Sequence, residues 1–238
     1  AVLYAGGEFA WLFGEYDVAR VRLEASGAIW RELGDRRALA FALQSLAGTI
    51  DPRTDQIGAT AAASESLRLF RELGDPWGVA VAVHSWGIVA LRQNDFAGAR
   101  VRFEEALARY REMGDDFFGA HVLNGLGDAA RGEGDHARAG ALYAESLALF
   151  RSQGLLVFMP SVLHNLGYVA LGQDDARRAL QLFRESLELF RDQGDQRGVA
   201  ECLAGLAGAV GVLCQPRDAA WLFGAAEAVL EASGAAMW

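Results

Sequence analysis

The chain has 238 residues, 52% hydrophobic and 22% charged, a balance that builds a packed core and excludes a disordered chain. Its net charge of −9 argues against nucleic acid or an anionic membrane as a partner of this piece. All 22 basic residues are arginine, which excludes a P-loop lysine, a Schiff-base lysine and a lysine general base on this chain.

Organisation comes from a forty-residue period. Gly34, Gly74, Gly114, Gly154, Gly194 and Gly234 keep it, and so do Ala19, Ala59, Ala99, Ala139, Ala179 and Ala219. A fixed period of this length marks a stacked repeat protein. It predicts one all-α unit with repeats at about 1–34, 35–74, 75–114, 115–154, 155–194 and 195–234. Each repeat reads as helix A, turn, helix B, turn, giving twelve helices in all.

In chain order, the pairs are expected at about 2–13 and 16–33, 37–51 and 56–73, 77–92 and 96–113, 117–132 and 136–153, 158–172 and 176–193, and 197–213 and 216–232. The third repeat shows the logic. Asp75 can cap a helix with Pro76 at its first position, and Val83, Trp86, Gly87 and Ala90 then form one apolar or small stripe. Asp95 can cap helix B, whose stripe is Ala99, Phe103, Ala106 and Tyr110, and Gly114 ends it in a left-handed cap. Gly87, Gly127 and Gly167 let helix B come close to helix A. Two places break the pattern. Pro52 should end the second helix A early, and Leu155 with Pro160 should delay or kink the fifth.

Cys202 and Cys214 would lie roughly 18 Å apart along one helix, too far for a bridge. Unpaired thiols, no signal peptide and no membrane-length apolar run fit a cytoplasmic protein. The chain begins at Ala1 in mid-repeat and reads as a piece of a larger protein.

The repeat resembles the tetratricopeptide repeat. The residues that carry the likeness are Leu163, Leu166-Gly167, Ala170, Ala179 and Phe183, and again Leu123, Leu126-Gly127, Ala130, Ala139 and Tyr143. The likeness covers the whole chain and departs in length, forty residues against the usual 34. The longer form with Gly-Asp between repeats, and the segment from Ala219 to Ala235, are similar to the C-terminal sensor repeats of STAND-type ATPases and of LuxR-type or MalT-like bacterial regulators. The resemblance implies a right-handed α-α superhelix with a concave face lined by the A helices. It implies a non-catalytic module that binds a protein or peptide segment, or a small-molecule inducer, and serves signal transduction or transcription regulation. A constitutive protein-binding scaffold with no ligand switch is the alternative. An enzyme built in the groove is the poorest reading, because no nucleophile–base pair, metal set or phosphate loop is visible.

On such a face the inward column would be Tyr4, Gln44, His84, Asn124, His164 and Ala204, flanked by Ile88, Asp128 and Tyr168, with Trp11 and Arg131 one turn on and His121 opposite. Amides and imidazoles can pair with the backbone of an extended peptide, and Tyr168 or Trp11 can pack on its side chains. The competing reading is that these side chains bond between helices and hold no ligand. No cofactor or metal is implied: His84 and His121 lack a third ligand. Gly125-Leu-Gly127 matches a dinucleotide pattern in letters only, inside a helix, and reads as packing glycine. The Asp residues at helix starts read as caps rather than catalytic carboxylates. Arg100, Arg102, Arg109 and Arg111 among Glu104 and Glu105 read as a salt-laced outer face, and His136 is expected to face solvent. Apolar residues at both ends suggest end-to-end self-association of the isolated piece.

Overall fold

The computed structural model describes residues 1–12, 15–51, 54–213 and 215–233, with Trp11, Leu12 and Ser233 described by their backbone alone. Expectations that fall on Pro52, Cys214, Gly234 and the Trp11 side chain lie outside the described residues. The chain divides into two compact units, Ala1–Glu133 and Gly134–Trp238.

Unit one holds seven helices among its described residues: α1 (Val2–Leu12), α2 (Tyr16–Leu33), α3 (Arg36–Thr49), α4 (Gln56–Leu73), α5 (Pro76–Arg92), α6 (Phe96–Met113) and α7 (Asp116–Gly132). Unit two holds α8 (His136–Ser152), a 3₁₀ turn (Leu156–Phe158), α9 (Met159–Gly172), α10 (Ala176–Gln193), α11 (Gln196–Val212) and α12 (Pro216–Ser233). The described residues contain no strand. Within each unit every helix packs on the next, and A helices also touch across repeats: α1 on α3, α3 on α5, α5 on α7, and α9 on α11.

Local chemistry explains the boundaries. Asp35, Asp55, Asp75, Asp95, Asp115, Asp135, Asp175 and Asp195 each accept the backbone N–H three residues on, at 2.8 to 3.1 Å. The acids at helix starts are therefore caps, and Asp55 joins those expected. Gly74 (φ 65°) shows why glycine keeps the period: its N–H bonds Arg71 O and that of Asp75 bonds Phe70 O, a closure that needs left-handed backbone. The two irregular repeats behave differently from the rest. α3 stops at Thr49, two residues short of the expected end. α9 has no capping Asp and starts after a 3₁₀ turn, with Pro160 in its first turn.

The alanine column fills the centre of each hairpin: Ala19, Ala59, Ala99, Ala139 and Ala179 are fully buried. In two hairpins a phenylalanine seals the seam to the next. A methyl group built on Gly87 would lie 2.6 Å from the Phe103 ring, and one on Gly125, in the following A helix, 2.8 Å from it. Phe183 stands in the same way against Gly167 and Gly205. Gly125 is thus a packing glycine, as the sequence suggested, and Gly205 plays the same part unannounced. His136 departs from expectation. It lies over Gly172 with Nδ1 buried and is only half-exposed, because the glycine leaves room for the ring where a larger residue would push it into solvent.

Candidate functional site

The A helices bring the inward column into rungs that cross from one repeat to the next. Tyr4 Oη lies 3.3 Å from Ser45 Oγ, and Gln44 Nε2 donates to Ser85 Oγ at 2.7 Å. Each rung joins residues 41 apart. These two predicted contact residues are therefore half-buried and engaged between helices. Burial and the nearby Glu8 hold the Tyr4 phenol above its ordinary pKa, although the Ser45 bond pulls the other way.

His84 is half-exposed on α5, edge-on to Phe103 (5.8 Å between centroids) and Tyr110 (6.3 Å). Loss of hydration, with the charge of His121 acting in the same sense, pushes its pKa down to about 4. His121 on α7 packs edge-on against Phe117 at 4.8 Å, and burial lowers its pKa too. Both imidazoles are neutral at pH 7, so the seam between α5 and α7 offers uncharged donors and acceptors rather than positive charge.

Ile88 is exposed one turn from His84. Asn124 and Asp128 are half-buried on α7, and Arg131 pairs with Asp128 at 3.5 Å. In unit two, His164 and Tyr168 meet edge-on at 5.0 Å, and both lean on Phe183, at 5.5 and 5.2 Å. The backbone places Trp11 on α1. Among the described residues no group of three His, Cys, Asp or Glu side chains is placed to hold a metal ion. No described helix is long and apolar enough to cross a membrane.

The B helices carry ion pairs. Arg31 reaches Glu65 at 3.0 Å and Arg71 reaches Glu105 at 3.7 Å in unit one, and Arg151 reaches Glu185 at 3.9 Å in unit two. Arg109 pairs with Glu105 at 2.9 Å, and Arg100 lies 3.8 Å from Glu104 and 3.5 Å from Glu133. This is the charge-laced face read from the sequence. Arg102 is the exception: its guanidinium covers the Trp86 ring at 4.4 Å. Sequence reasoning missed the serine ends of the rungs. The signal was present, since Ser45 and Ser85 share one column of the period.

Residues 78–152 match the tetratricopeptide repeat family profile. BtubC (BKLC) from P. vanneervenii superposes with a TM-score of 0.76 at 19% identity, over 94% of this chain and 94% of that one. The chain has the tetratricopeptide-repeat fold. A Rap protein solved in complex with competence and sporulation factor matches these repeats with a TM-score of 0.76 at 12% identity, over 96% of this chain and 74% of that one. A signal transduction ATPase with numerous domains (STAND) from Pyrococcus horikoshii, which has a tetratricopeptide repeat sensor, matches at a TM-score of 0.68 and 13% identity. That match spans 95% of this chain and 35% of the STAND protein. No curated protein matches the repeats in sequence.

Proposed function

We propose that the chain is a non-catalytic sensor array, the regulatory repeat region of a cytoplasmic bacterial signal-transduction or transcription regulator. It takes a protein or peptide segment, or a small-molecule inducer, on the face formed by its A helices. The contact residues are Tyr4, Trp11, Gln44, His84, Ile88, His121, Asn124, Asp128, Arg131, His164 and Tyr168. The observation that carries this reading is the half-exposed Gln44, His84 and Asn124 at one repeat position in unit one, with His164 at the same position in unit two. Two similar folds support it: one is complexed with competence and sporulation factor, and the other includes a tetratricopeptide repeat sensor in a STAND protein. Binding at such a face biases a parent protein between states only by the difference in affinity for them.

The test is selection of binders from a displayed library of extended peptides. Selected peptides are expected to lose affinity when Gln44, Asn124 and Tyr168 are replaced together by Ala. Undiminished binding to that triple variant would place the binding surface elsewhere. The scaffold reading is separated by thermal melts: an inducer that binds the folded state raises Tm with concentration, and a pure scaffold responds to partner proteins alone.

A further inference from the structure

Two A helices of unit one send a side chain from their first turn to the aspartate that caps the next A helix. On α3, Arg37 Nε donates to Asp75 at 2.9 Å, and its guanidinium carbon lies 5.6 Å over the centre of the Phe41 ring. On α5, Trp77 stands at the same repeat position, and its indole Nε1 donates to Asp115 at 3.3 Å. Both bonds span 38 residues. The first corner joins a ring, a carboxylate and a cation. The second joins a ring and a carboxylate.

Asp115 has two neutral donors: the Phe118 N–H on one oxygen at 3.1 Å and the Trp77 indole N–H on the other. No cation among the described residues forms an ion pair with it. A carboxylate accepts about four hydrogen bonds, so each oxygen keeps a free site. Burial, with the charge of Asp115 acting in the same sense, holds the neighbouring Tyr110 phenol above its ordinary pKa, as an unneutralised carboxylate does. Trp77 and Asp115 are both half-exposed, and Asp116 beside them is exposed. The indole is braced by Phe41 at 6.1 Å and by Phe118, edge-on, at 5.6 Å, so it stands in place before any ligand arrives. The same helix shows a guanidinium accepted by an indole, where Arg102 covers Trp86 at 4.4 Å.

We propose that the Trp77–Asp115 corner takes an arginine side chain from a partner protein segment, its guanidinium lying on the indole and bonding Asp115, as Arg37 lies on Phe41 and bonds Asp75. A planar, weakly hydrated cation suits a ring beside a carboxylate, because one group stacks and bonds at once. Such a charge also complements a chain whose net charge is −9. Neither Trp77 nor Asp115 belongs to the contact residues of the proposed sensor face, and the inference does not rest on that reading.

The probe is N-acetyl-arginine amide, titrated into the full chain at neutral pH, with N-acetyl-citrulline amide as its uncharged isostere. The NMR signals of the Trp77 indole N–H and the Phe118 backbone N–H, the two donors on Asp115, are followed. The arginine compound is expected to shift both signals saturably, and the citrulline compound to bind about tenfold more weakly or not at all. Asp115→Asn keeps a capping side chain and removes the charge, and it should weaken arginine binding by about tenfold with helix content unchanged. Trp77→Arg rebuilds the α3 corner from within the chain, and the Phe118 signal should then ignore added arginine. Equal binding of citrulline, an unmoved Trp77 signal, undiminished binding to Asp115→Asn, or a Phe118 response that persists in Trp77→Arg would each overturn the proposal.

Discussion

Tyr110 lies flat against Phe118, ring centroids 5.3 Å apart and planes 15° from parallel. The pairing recurs once in unit two. Phe150 stacks on Phe158 at 5.3 Å in the same register. At two further seams, Phe70 and Phe190 press on glycine, at Gly78 and Gly198, where any Cβ would collide with the ring. These four seams therefore fill one volume in one of two ways, ring on ring or ring on bare backbone. The columns covary because close packing tolerates neither a void nor an overlap.

Tyr110 stands where the column has Phe at 70, 150 and 190. Its side chain is fully buried, its hydroxyl has no hydrogen-bond partner, and burial with the nearby Asp115 pushes its pKa up. Tyr110→Phe, which restores the residue found at 70, 150 and 190, should stabilise unit one by about 1 kcal/mol. In urea melts its midpoint should rise. A midpoint that falls would show that the hydroxyl has a partner worth keeping.

The glycines divide into two kinds. Gly125→Ala should destabilise by about 1 to 2 kcal/mol, because overpacking against Phe103 outweighs the gain in helix propensity. Gly48→Ala on α3 meets nothing within 4 Å and should stabilise by about 0.5 to 1 kcal/mol. Denaturant melts of the two variants should move in opposite directions, and movement in the same direction would refute the cradle.

Asp75 does two things at once. One carboxylate oxygen caps α5 at Gly78 N (2.9 Å), and the other accepts from Arg37 Nε, also at 2.9 Å. Burial raises its pKa, but the Gly78 bond and the Arg37 bond and charge together hold it below the usual carboxylate value. A depressed folded pKa means that this contribution is fully present above about pH 4 and is lost as pH falls through the lower, folded value. Asp75→Ala should cost about 1 to 2 kcal/mol at neutral pH and much less in acid. A cost independent of pH would remove the ionised carboxylate from the account.

His84 should make the fold sensitive to mild acid. Its folded pKa of about 4 lies below the ordinary 6.5, so between these values the unfolded chain binds more protons than the folded one. Stability is then complete above about pH 6.5 and declines as pH falls toward 4, by an amount on the order of 1 to 3 kcal/mol. His121 contributes in the same direction. The variant His84→Gln should flatten the Tm profile between pH 4.5 and 6.5 relative to wild type. Parallel profiles would show that the imidazole titrates as in water.

The first and last helices leave large apolar side chains in water. Val2 is 86% exposed, Phe9 62% and Trp221 73%. The isolated chain should therefore self-associate as its concentration rises, and sedimentation should show the mass returning to the monomer value in Phe9→Glu with Trp221→Glu. A monomer at every concentration would dismiss these ends as contact surfaces.

The amino-acid sequence by itself determined the repeat, its twelve helices, the capping aspartates and the left-handed glycines. These depend on interactions within a few residues and on a period that any reader of the chain can count. It also set Gln44, His84, Asn124 and His164 at one repeat position of the A helices, because helical spacing assigns faces. Tertiary structure alone decided how particular side chains are used: Tyr4 and Gln44 close on serines 41 residues away, His84 loses its charge to burial, and His136 on α8 tucks over Gly172. Such outcomes follow from distances across a packed seam and from the water excluded there, and neither quantity is carried by residue order until neighbouring hairpins have docked.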